Sequence, residues 1–98
     1  MPPMPPTSHE AMDQAISLLN DRKRAFAALN IPGRIALLRR LARDTVAVAP
    51  AQVAAACAAK GIDLNSPRAA EEWLAGPMTA LRNLRLLQDS ITDINRWG

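Results

Sequence analysis

Nowhere along this chain do apolar and polar residues alternate with a period of two, whereas apolar residues recur three and four apart almost from end to end. That spacing puts side chains on one face of an α-helix and leaves no segment suited to a half-buried strand. Met12, Ile16, Leu19 and Phe26 draw one stripe, interrupted only by Lys23. A broader side follows, with Ile35, Leu37, Leu38, Leu41, Ala42, Thr45, Val46 and Val48 facing one way and Arg39, Arg40 and Arg43 the other. The last stripe runs through Ala80, Leu81, Leu84, Leu87, Ile91 and Ile94, with Arg82, Arg85, Asp89, Asp93 and Arg96 opposite. There Arg85 and Asp89 stand at the i,i+4 spacing of a helical ion pair. With 98 residues there is room for one domain. The expectation is an all-α fold of four to five short amphipathic helices in an antiparallel array, a single helical domain or domain fragment over residues 8–98.

Prolines and glycines divide the pattern. Residues 1–7 are proline-rich and read as a flexible, disordered leader. Thr7 and Glu10 have the spacing of a capping box, so the first helix is expected to start at Thr7 or Ser8 and run to about Leu29. Pro32 suits the first turn of a second helix, expected to end near Val48. Pro50 would end that run and start another, rich in alanine, which Gly61 closes in the left-handed conformation that glycine tolerates. Ser66 and Pro67 read as N-cap and first turn of a short helix carrying Glu71 and Glu72, broken at Gly76-Pro77 before the last helix begins at Met78.

Charge and cysteine content exclude several classes. The formal net charge is +3, and it sits in the first half, where seven Lys and Arg outnumber four Asp and Glu. Such a cluster could meet nucleic acid, but a solvated helix face explains it with less, so no nucleic-acid partner is expected. The longest uncharged stretch, residues 45–59, is shorter than the ~20 apolar residues of a membrane span and contains Pro50. No membrane partner is expected. One cysteine cannot close an internal disulfide, and residues 1–6 show no signal-peptide pattern, so a cytoplasmic protein is expected.

Candidates for chemistry are few. Cys57 is flanked by alanines and reads as a core residue, while His9, the lone histidine, lies far along the sequence from it. One His and one Cys cannot fill a structural zinc site. Glu71 and Glu72 are adjacent, point apart on a helix, and suit capping and solvation. The four glycines are isolated and form no phosphate-cradling loop. Trp73 reads as core or interface packing. No catalytic, cofactor-binding or metal-ligating residue is assigned.

Arg24-Ala25-Phe26, followed by the run from Pro32 through Arg34, Leu37, Leu38, Arg39, Arg40, Leu41 and Ala42, resembles the opening helix pair of the aldehyde dehydrogenase superfamily. Ala58-Ala59-Lys60-Gly61-Ile62 is similar to the family's "E-x-GKP" point. Glu71-Glu72-Trp73-Leu74-Ala75-Gly76-Pro77 and the run Leu81-Arg82-Asn83-Leu84-Arg85-Leu86-Leu87 resemble a longer bacterial branch. The resemblance covers roughly residues 12–95; Gly33 departs from it, standing where the family usually has an acidic residue. It implies the N-terminal helical segment of an NAD(P)-dependent oxidoreductase several times longer than this chain. The family's catalytic cysteine, general-base glutamate and nucleotide site all lie downstream, and Cys57 does not match the catalytic motif. This chain alone is therefore expected to hold no cofactor, to be inactive, and to be structural, with the rest of a parent enzyme as its partner. The alternative is a free-standing interaction module that binds itself or another protein through its apolar helix faces.

Overall fold

The computed structural model describes residues 3–98, and all regular structure among them is helical. It comprises α1 (His9–Ala27), α2 (Ile31–Lys60), α3 (Ala69–Trp73), a π-helical turn (Leu74–Met78) and α4 (Thr79–Trp97). The last three follow one another without a gap, so the chain has three helical rods rather than four or five. It divides into two units, residues 1–30 and 31–98. Of the leader, Met1 and Pro2 lie outside the described residues, and residues 3–7 are exposed and without regular structure.

In the first unit Ser8, not Thr7, caps α1: its hydroxyl accepts a hydrogen bond from the Ala11 amide at 3.1 Å. The residue at capping-box register is then Ala11, which has no side chain to return the bond. Glu10 instead accepts from Gln14 one turn on, at 3.4 Å. The helix stops at Ala27, two residues earlier than its periodicity suggests, where the Ala28 amide donates back to the Arg24 carbonyl. No residue of α1 is buried; Ile16 and Leu19 in its apolar stripe are 64% and 70% exposed.

The second unit is a helical hairpin. α2 passes through Pro50 unbroken, contrary to the expected restart. A proline inside a helix costs about 3 kcal/mol, because it lacks an N–H and crowds the carbonyl four residues back. Here the flanking Ala49 and Val53 are buried, at 5% and 1% exposed, and that packing holds the rod together. At 30 residues α2 is about 45 Å long. Gly61, with φ of 67°, closes it as expected: the Ile62 amide donates to Cys57 and the Gly61 amide to Ala58, the crossed pair of a Schellman motif. Ile62 then packs on a buried cluster of Val53, Cys57 and Ala69, so the cap and the core form together.

Residues 61–68 turn the chain back. The Asp63 side chain accepts from the Asn65 amide and its carbonyl from Ser66, so Ser66 spends its hydroxyl within the turn and does not cap α3. The returning rod runs antiparallel to α2, since Glu72 pairs with Lys60 while Gly76 lies against Gln52.

At Gly76-Pro77 the rod widens instead of breaking. The Pro77 ring would collide with the Trp73 carbonyl in an α-helix; one π turn shifts the hydrogen-bond register and relieves the clash. The Thr79 hydroxyl donates to the Leu74 carbonyl at 2.6 Å, across the widened turn. Beyond it Leu84 and Ile91 are half-buried, while Leu87 and Ile94, counted on the same stripe, are 53% and 54% exposed. α2 shows the same limit: Ile35, Leu38, Ala42, Thr45 and Ala49 are covered to varying degrees, whereas Leu37, Leu41, Val46 and Val48 stay exposed. One partner helix covers a narrower stripe than this sequence offers.

Candidate docking groove

The two prolines that do not break their helices lie on opposite walls of one open groove. α2 contributes Val46, Ala49 and Pro50, and the returning rod contributes Trp73, Pro77 and Met78. The groove has a volume of about 830 Å³. Trp73, just before the π turn, and Met78, at its end, are 43% and 56% exposed. Leu81, Arg82 and Arg85 of α4 continue the lining, and the two arginines are its only charged residues. A smaller depression of about 550 Å³ adjoins it, sharing Met78 and Arg82 and adding Glu71, Leu74, Ala75 and Thr79.

Among the described residues Arg85 does not pair with Asp89, despite the spacing, and Arg82 likewise has no ion-pair partner. Both guanidiniums are exposed. Arg39, Arg40 and Arg43 are exposed as expected; Arg40 approaches Asp44 at 3.9 Å on the open surface, a pair that contributes little.

Cys57 is 1% exposed, inside the hairpin cluster. His9 is exposed at the start of α1. Glu71 is exposed, but Glu72 is not simply a solvated charge: its carboxylate receives the Lys60 ammonium at 2.7 Å, with the glutamate side chain 10% and the lysine 61% exposed. The hydrogen bond and the charge of Glu72 raise the Lys60 pKa above its ordinary 10.5. This contact latches the end of α2 to the start of the returning rod. Trp97 is 78% exposed, with the Arg96 guanidinium 5.9 Å from its ring centroid. Among the described residues no group of three or more His, Cys, Asp and Glu is placed to hold a metal, and no helix is long and apolar enough to cross a membrane.

Sequence reasoning missed the groove because it read Pro50 and Pro77 as ends of elements. Their separation of 27 positions, with Gly61 between them, was the available signal: a hairpin closing at residues 61–66 brings such positions side by side. Family models, curated proteins and solved structures offer no match to this chain.

Proposed function

We propose that this chain is a non-catalytic helical segment of an aldehyde dehydrogenase-like, NAD(P)-dependent oxidoreductase of the cytoplasm, and that its work is to pack against the rest of that enzyme. The observation that carries the packing role is the open apolar groove with Trp73 half-exposed in its wall. A tryptophan set in a concave apolar surface is the residue type that anchors polypeptide interfaces. The family assignment rests on the residues that carry the resemblance, chiefly the Pro32–Ala42 run and the stretches Glu71–Pro77 and Leu81–Leu87.

The residues present do not fit the cofactor of that family. A dinucleotide's phosphates are held where a glycine-rich turn leads from a strand into a helix N-terminus. Gly61, whose φ is positive, instead sits at the C-terminal end of α2, where the helix dipole repels anions. No step of aldehyde oxidation is therefore assigned to this chain.

The reading frame following Gly98 tests the proposal directly. A frame that continues into a glycine-rich strand–helix motif and a later cysteine motif is the expected result; a stop codon there rejects it. The second reading, a free-standing interaction module, is favoured by the hairpin's own buried cluster at Val53, Cys57 and Ala69. A monomer that melts sharply at high temperature in isolation would select it.

A further inference from the structure

We propose that the groove between α2 and α4 receives an amphipathic helix whose apolar stripe is flanked by acidic residues. The inference rests on the reading that polypeptide covers this groove, and adds the chemistry of the covering segment.

Three features lead to it. The wall side chains Val46, Ala49, Trp73 and Met78 offer only the indole N–H and the weakly accepting Met78 thioether for hydrogen bonding, so the occupant's central contacts are apolar. The groove is open along its length rather than closed over, whereas small-molecule sites bury most of their ligand's surface. A helix laid in a groove needs only one face covered. From Pro77 to Arg85 the wall extends about 12 Å along the rod, which matches two turns of a partner helix and three or four apolar anchors at i, i+3/i+4 and i+7.

Charge then selects the flank. Arg82 and Arg85 stand one turn apart, both exposed, both without an acidic partner, and the groove lining contains no carboxylate. The acids around it are otherwise placed: Glu71 lies in the adjoining depression beyond Arg82, Glu72 is held by Lys60, and Asp89, one turn past Arg85, makes no ion pair with it. Two unpaired guanidiniums beside an apolar trough favour carboxylates placed next to the partner's stripe and disfavour lysines there.

The test uses the full chain with Trp97→Phe, which leaves Trp73 as the sole indole. The probe is a synthetic helical peptide of about 18 residues, long enough to hold a helix, with leucines at i, i+3, i+4 and i+7 and glutamates on both flanks. Its control has lysine for every glutamate, and sodium decanoate stands for a lipid-like occupant. The expected result is a saturable shift of Trp73 emission with the glutamate peptide, weakening as salt rises, and binding about tenfold weaker for the lysine peptide. Replacing both arginines (R82E with R85E) is expected to invert that preference; these side chains are exposed, so circular dichroism should be unchanged. Met78→Ala is expected to weaken both peptides alike. Equal binding of the two peptides overturns the charge argument. Binding of decanoate alone, or no binding at all, overturns the proposal. So does a Trp73 change that follows protein concentration and that the glutamate peptide cannot compete away, since a second copy would then be the occupant. None of these outcomes depends on the reading frame after Gly98, so this inference and the parent-enzyme reading can fail separately.

Discussion

At the scale of single residues, the hairpin depends on a few small, tightly enclosed side chains. Cys57 and Val53 are each 1% exposed, and close packing leaves no room for relaxation around them. Val53→Ala should cost about 2 kcal/mol, transfer and cavity terms together. Cys57→Ala should cost less than Cys57→Ser, because the serine hydroxyl would be buried without a designed partner, a penalty of about 1–3 kcal/mol. Urea unfolding of the three variants orders them, and a serine variant as stable as the alanine one would show that the site admits water. The Lys60–Glu72 contact makes a different prediction. A lysine whose pKa is raised on folding adds stability that is fully present below its unfolded value of 10.5 and disappears as pH climbs through the higher folded value. Wild type should therefore lose stability above pH 10.5, and Lys60→Met should lack that component of the loss. Melting temperatures recorded from neutral to strongly alkaline pH compare the two slopes.

At the scale of elements, termini and prolines behave differently. The end of α2 is locally determined: glycine at residue 61 accepts φ of 67°, and the two crossed amide bonds follow. A Cβ there meets no neighbour within 4 Å, so Gly61→Ala is strained by backbone conformation alone. It should cost about 1–2 kcal/mol, the left-handed penalty for an L-residue, with the core otherwise intact. A chemical denaturation midpoint that does not move would show that the turn had found another conformation. The local preference of Pro50 and Pro77 is to end helices. Packing of Ala49 and Val53 overrode that preference at Pro50, and a register shift absorbed it at Pro77. The capping signal at Thr7 lost to its neighbour Ser8 because two adjacent hydroxyl residues compete for one N-cap, and spacing alone cannot choose between them.

At the scale of the whole molecule, the two units should differ in resistance. α1 buries none of its 19 residues, so it lacks the packed apolar face from which most helical stability in proteins comes. Trypsin should therefore cut at Arg22, Lys23 and Arg24 before Arg39, Arg40 and Arg43, although all six are exposed. Mass spectrometry of early digests reads the order, and first cuts within α2 would contradict it. Helical character, the absence of alternating strands, the buried cysteine and the Gly61 turn were all legible in the residues, because each follows from periodicity or from a conformation open to one residue type. The number of helices, the latch between Lys60 and Glu72, and the groove were not. Each depends on which residues meet across the hairpin, and a proline's effect on its helix is decided by the packing energy its neighbours gain there. Local sequence could mark Pro50 and Pro77 as costly; only the antiparallel pairing of α2 with the returning rod decided that the cost is met and that both line the same groove.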